Sequence, residues 1–224
     1  MNTKKHMFKN LIVIALIAVG MTACGDKKKD TTSEAEEVST ASNEAMSYMV
    51  DTKASVINWE GSKPTGTHTG TIQISKGTFS LKDNKIESGD FVIDMNSIVV
   101  TDLEGDGKTN LEAHLKGTAE DKETDFFNVN KYPTSTFAVT GMEMKDGKNW
   151  LKGNLTMKDV TKNVAFPVEV SVEGDTVKIN SETFEIDRTE WNVNYGSKSI
   201  FDNLGDKFID DEMVLTVSLV AKKA

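Results

Sequence analysis

From Tyr48 to the C-terminus, apolar and polar residues alternate one for one between short turn signals, and no feature restricts the fold more. Ile57 and Trp59 alternate with Asn58 and Glu60; Ile72 and Ile74 alternate with Gln73 and Ser75. A period of two places each apolar set on one face of a strand. Asp83-Asn84, Asp146-Gly147 and Gly174-Asp175 sit between such segments and supply the backbone freedom of tight hairpins. Residues 86–95, 136–144, 150–157, 166–172 and 176–186 read as strands. A last strand over 213–221 puts Met213, Leu215, Val217 and Leu219 on one face. No amphipathic helical pattern exceeds about two turns. About eight strands joined by hairpins predict an all-β fold, a closed antiparallel barrel or a sandwich. A membrane-spanning barrel would need an apolar outer face and aromatic girdles. Here the polar faces carry Lys, Glu, Asp, Thr and Ser, and aromatics make up only 7% of the chain. The apolar face therefore points inward.

Two stretches break the alternation. Residues 110–116 pair Leu111 with Leu115 at i and i+4 and predict a short helix. Residues 197–210 carry Ile200, Phe201, Leu204 and Phe208 without strand periodicity, and are expected to pack as a lid over one barrel end.

The N-terminus is of another kind. Lys4, Lys5 and Lys9 precede an apolar run from Leu11 to Val19, too short for the ~20 residues of a spanning helix. The run ends in Met21-Thr22-Ala23-Cys24. This pattern reads as a secretory signal over 1–23 and resembles the lipobox of bacterial lipoproteins, which implies acylation of Cys24 after cleavage before it. Gly25 stands where Asp would favour inner-membrane retention. The implied location is the cell envelope, as an outer-membrane lipoprotein, on the periplasmic face in preference to the cell surface, though the residues themselves leave both orientations open. Residues 24–47 lack aromatics, are rich in Ser, Thr, Glu and Lys, and are expected to form a disordered tether spanning roughly 25–30 Å. The domain proper is expected over 48–224.

Without residues 1–23 the chain keeps 23 basic against 35 acidic residues, a formal charge of −12. So acidic a surface repels phosphate, which argues against nucleic acid and against a polybasic membrane patch. One Cys, committed to the anchor, leaves neither disulfide nor thiol nucleophile. The domain holds only His68 and His114, with neither HxxxH nor HExxH spacing, so no metal site is expected. Asp102, Glu104, Asp106 and Gly107 open like an EF-hand loop, but its closing Glu falls on Ala113. Gly107-Lys108-Thr109 lacks the first glycine of a phosphate loop, since 102 is Asp. GxSxG and GxGxxG are absent. Nothing marks an enzyme. Arg188, the only Arg, ends a predicted strand and reads as an ion pair or carbonyl clamp, or else as a contact to a ligand head group.

Several segments, taken in order, resemble the YceI-like family of lipocalin-like bacterial envelope proteins. They are Val56-Ile57-Asn58-Trp59-Glu60-Gly61, His68-Thr69-Gly70-Thr71-Ile72 and Phe91-Val92-Ile93-Asp94-Met95-Asn96-Ser97-Ile98. His114-Leu115-Lys116, Asp125-Phe126-Phe127-Asn128-Val129 and Lys131-Tyr132-Pro133-Thr134-Ser135-Thr136-Phe137 follow. Residues 153–162, 184–188 with Trp191, and Ile209-Asp210-Asp211-Glu212 complete the series. The likeness covers about 48–222. One departure is the polar, acidic stretch 117–124, which reads as a surface insertion between the His114 and Asp125 segments.

The resemblance implies an extended eight-stranded antiparallel barrel that binds a long apolar ligand, a polyisoprenoid, isoprenoid quinone or related lipid, for carriage or storage. Inward-facing candidates for its lining are Ile57, Trp59, Ile72, Ile74, Phe79, Leu81, Phe91, Ile93, Phe137, Val139, Leu155, Phe166 and Val168. Each alone reads as core packing, and the cavity is implied by the family likeness. His68, His114 and Arg188 are the polar candidates, for a head group or for structure. No cofactor is required beyond the bound lipid. The expected partners are that lipid and, through Cys24, the membrane; a dimer is compatible with the pattern. Two competing readings are a metal-assisted hydrolase using His68 and His114, and an envelope interaction module with a filled barrel.

Overall fold

The computed structural model describes residues 32–224. Its strands are β1 (Thr32–Glu34), β2 (Met46–Val50), β3 (Val56–Lys63), β4 (Gly66–Lys82), β5 (Lys85–Val100), β6 (Thr134–Lys145), β7 (Lys148–Met157), β8 (Val160–Glu173), β9 (Thr176–Ser181), β10 (Phe184–Asp187) and β11 (Glu212–Lys223). One helix, α1 (Gly105–Lys116), follows β5. All pairings are antiparallel, and β4 to β9 follow one another as neighbours. β9 then pairs with β11, β11 with β2 and β3, and both of these with β4, so the circuit closes. Counting β2 with β3, and β9 with β10, as interrupted staves gives the eight-staved barrel that the family resemblance implies, and excludes the sandwich. The predicted strand over 176–186 is in fact two, broken at Glu182-Thr183.

The hairpins fall where the turn residues stand. Asp83 and Asn84 both adopt positive φ, as do Asp146 and Gly147, and Gly174 has φ +61°. Lys158 and Asp159 do the same, at φ 48° and 63°, without glycine. Paired positive values match the right-handed strand twist.

α1 begins five residues earlier than predicted, so the acidic stretch leads into it, with Glu104 at the N-cap and Asp106 in the first turn. It ends at Gly117, whose φ of +69° suits glycine and whose missing side chain leaves room for the Glu123 carbonyl. Glu112 of α1 accepts a hydrogen bond from the Val100 amide at 2.9 Å, fixing the helix to the end of β5.

Residues 32–47 are not a disordered tether. Thr32–Glu34 pairs with β8, and Ser39 donates its amide to the Val139 carbonyl at 3.0 Å. Hydrogen bonds and ion pairs fasten this segment, so a polar stretch without aromatics is ordered against the barrel wall. The rest of the expected tether, with Cys24 and the signal segment, lies outside the described residues.

Candidate functional site

Two interior spaces lie along the barrel. A wide one of about 410 Å³ sits beneath α1, and a narrow one of about 100 Å³ continues it. Ile57, Ile93, Leu155 and Leu215 line both, so the two meet at these side chains. The wide cavity falls in the ~300–1,000 Å³ range of small-molecule sites. Exposed Lys63, Lys207 and Glu212 among its lining place its mouth at the surface.

Of the thirteen lining candidates, Ile57, Trp59, Ile72, Ile93 and Leu155 face the wide cavity. Ile74, Phe91, Phe137, Phe166 and Val168 face the narrow one, together with Ile57, Ile93 and Leu155. Phe79, Leu81 and Val139 face neither; they are buried core, at 2%, 3% and 0% exposure. For Phe79 the cause is its stack between Tyr48 and Phe91, with ring centroids 5.5 and 6.3 Å away.

Other wall residues went unread in the sequence. Met95, Ile98, Met157, Phe126, Phe127 and Tyr195 line the wide cavity. Leu111 and Leu115, noted for helical spacing, supply its roof from α1. Phe126 and Phe127 carried a signal, a double aromatic in a polar loop, but no period says which way a loop residue points. The expected lid over 197–210 forms only in part. Lys207, Ile209 and Asp210 reach the cavity, while Ile200 and Phe201 remain 51% and 48% exposed.

Two polar atoms in this lining have no protein partner. Trp59 Nε1 and Ser135 Oγ are both buried without a hydrogen bond. The Trp59 indole lies against Gly70, where an added Cβ would meet its ring at 2.4 Å. Glycine in β4 thus lets the indole lie flat on the sheet, and its N–H is left unbonded.

The two histidines line the wide cavity and each has its own carboxylate. His68 Nδ1 lies 2.8 Å from Asp102 Oδ2, and His114 Nε2 lies 2.7 Å from Asp125 Oδ2. Burial pushes the Asp102 pKa up, but the His68 ring and the Thr69 amide outweigh it and hold it below the usual value. The stretch 117–124 folds back through Lys122→Ala119 and Asp125→Lys122 backbone bonds, which deliver Asp125 to His114. The His114 ring meets Phe126 and Tyr195 edge-on at 5.0 and 4.8 Å. Among the described residues, no group of three or more His, Cys, Asp or Glu gathers as a metal site would need.

Arg188 is 2% exposed and acts as a carbonyl clamp. Its Nε donates to Asp210 O and one terminal nitrogen to Ile209 O, both at 3.0 Å, and the other to Val193 O. Asp211 lies 3.5 Å from the guanidinium. Burial draws the Arg188 pKa below its ordinary value, against the pull of Asp211 and Asp187. Lys158, likewise drawn down by burial, donates to the carbonyls of Phe126 and Asn192 at 2.7 Å each.

Sequence comparison matches residues 48–221 to the YceI-like domain. The UPF0312 protein ECA1782 of Pectobacterium atrosepticum is 30% identical over 159 residues, covering 69% of this chain and 74% of the relative. Protein YceI of Salmonella arizonae is 32% identical over 109 residues, 47% of this chain and half of its own length. Among solved structures, Burkholderia cenocepacia BcnA superposes with a TM-score of 0.60 at 22% identity, covering 77% of this chain and 99% of its own. A polyisoprenoid binding domain from Saccharophagus degradans gives 0.55 at 14% identity, covering 80% and 99%. At these identities the superpositions speak for the fold.

Proposed function

Since this chain belongs to the YceI-like domain family, we propose that it is a non-enzymatic carrier or store for a long apolar lipid, a polyisoprenoid or isoprenoid quinone. One observation carries the reading: the wide cavity runs on into the narrow one through shared aliphatic walls. A chain-shaped ligand suits such a space better than a compact one. The polyisoprenoid binding of the S. degradans domain supports the same ligand class.

The location belongs to the same proposal. Cys24 is the acylation site of an outer-membrane lipoprotein, and the barrel faces the periplasm. Only seven residues separate Cys24 from Thr32. Fully extended they reach ~25 Å, which holds the cavity close to the bilayer that supplies the lipid.

The test is to purify the protein from its native envelope, extract it with organic solvent and identify lipids by mass spectrometry. A stoichiometric isoprenoid is expected. Its absence, with no uptake of added isoprenoids, overturns the reading.

A further inference from the structure

Residues 32–45 contain one large apolar side chain, Val38, which is 45% exposed, yet they cross the outside of β8, β7, β6, β5 and β4 in turn. What fastens them is polar. Glu34 pairs with Lys162 of β8 at 2.7 Å, Glu36 with Lys152 of β7 at 2.9 Å, and Glu44 with Lys82 of β4. Asn154 of β7 treats Glu36 as a neighbouring strand would, accepting from its amide at 3.0 Å and donating to its carbonyl at 2.7 Å.

The path joins the two places where the barrel's own ladder is missing. β5 and β6 pair only over five residues, Asp90–Asp94 against 134–138; below Asp90 they part. In that gap Ile86 donates its amide to the Met142 sulfur at 3.2 Å, a poor substitute for a carbonyl. Ser39 bridges the same gap. Its amide bonds Val139 O of β6, and its hydroxyl lies 2.6 Å from Glu87 O of β5. The second gap separates the first half of β8 from β10. There β1 takes the free edge of β8 at residues 162–164, where no ladder joins β10 to β8. Both gaps overlie the narrow cavity: Phe91 and Phe137 flank the first, Phe166 and Phe184 the second.

We propose that residues 32–45 form a strap that holds both gaps shut and gates a lateral route between the narrow cavity and the outside, separate from the wide cavity's mouth at Lys63, Lys207 and Glu212. The gating part rests on the carrier reading; the closure of the gaps does not. Exposed ion pairs are individually weak and screened by salt, so such a strap can release without the barrel unfolding.

The test compares the full chain with Ser39→Ala and with the triple variant Glu34→Gln/Glu36→Gln/Glu44→Gln. Amide hydrogen exchange is read without ligand, and release of preloaded N-phenyl-1-naphthylamine is read by fluorescence. Exchange in residues 85–89 and 139–142 is expected to rise on the order of tenfold, from the loss of one or two hydrogen bonds. Exchange in the β7–β8 hairpin of the Ser39→Ala chain should not change, and probe release should speed by a similar factor at unchanged stoichiometry. Unaltered exchange in both variants overturns the strap. Faster exchange with unchanged release overturns the gate. Faster exchange in a protein that takes up no apolar probe supports the strap while counting against the carrier.

Discussion

In one half of the barrel, rings narrow the interior to about 100 Å³; in the other, beneath α1, the walls stand apart around about 410 Å³. Tyr48, Phe79, Phe91, Phe137, Phe166 and Phe184 form a continuous series, with successive centroids 4.3–6.3 Å apart. The opposite half presents Ile72, Ile98 and Met157 to the interior and, apart from Trp59 of β3, carries its aromatics Phe126, Phe127 and Tyr195 in the segments that cap it. It is held from its rim. Arg188 gathers three carbonyls, Lys158 two, and Trp191 Nε1 donates to Leu155 O at 3.0 Å. A barrel can thus keep a cavity open by bonding charged side chains to the backbone at its edge, because those bonds fix the walls without occupying the middle. Where rings do the holding, the space narrows to about 100 Å³.

The sharpest way to break this comparison is to truncate one side chain in each half. Phe79→Ala, at a 2% exposed site between two rings, should cost about 3–5 kcal/mol in urea unfolding. Ile72→Ala, on the wall of an existing cavity, should cost about 1 kcal/mol or less, since it removes few contacts and opens no new void. Equal losses would mean that the wide half is packed as tightly as the narrow one. Next in size is the rim. Arg188→Lys keeps a charge but cannot reach three carbonyls at once, and should cost about 2–3 kcal/mol. If stability is unchanged, the rim does not hold the walls.

How much of this was legible follows from the same contrast. Period-two alternation identified the inward faces, and ten of thirteen proposed lining residues do face the interior spaces. It could not separate Phe79, Leu81 and Val139, because facing inward does not say whether a partner ring or empty space lies opposite. Asp83-Asn84 and Asp146-Gly147 were readable as hairpins from residue type alone. Lys158-Asp159 was not marked by glycine; its geometry is supported by the Lys158 ammonium on two carbonyls. The strap was illegible for a physical reason. Its binding uses three Glu–Lys pairs with lysines up to 128 positions away, and no local pattern encodes a partner so remote.

A smaller effect is expected at the junction of the two halves. Leu155 lines both cavities, so Leu155→Phe should narrow the passage between them. Binding of a long isoprenoid should weaken about tenfold, equivalent to about 1.4 kcal/mol, while a short apolar probe confined to the wide half keeps its affinity. Titration calorimetry with ligands of graded length reads the difference. Equal weakening at every length would show that the two spaces are not used as one.

The smallest effect concerns acid, and at the wide end it runs through Asp102. Asp102 feels a burial penalty, yet the His68 ring and the Thr69 amide hold its pKa below the ordinary value of 3.8. A carboxyl depressed in the folded state adds stability above its unfolded pKa and loses it as pH falls through the folded one. Its contribution is therefore whole at neutral pH and fades below about pH 4. Both partners are about a quarter exposed, so solvent screens the pair and the loss is small. The Asp102 bond to Thr69 sits where β4 meets the end of β5, beside the mouth of the wide cavity. Acidification should thus loosen amides around Thr69 and Thr101 at the mouth, as it should the Ser42 amide outside the narrow half, whose hydrogen bond likewise holds the Glu87 carboxyl below its ordinary pKa. Hydrogen exchange at pH 3 and pH 6, corrected for intrinsic rates, measures this, with Asp102→Asn as the control. In that variant the extra pH dependence at Thr69 should vanish. If it persists, another group governs the mouth, and the histidine–carboxylate pair is not what ties it shut.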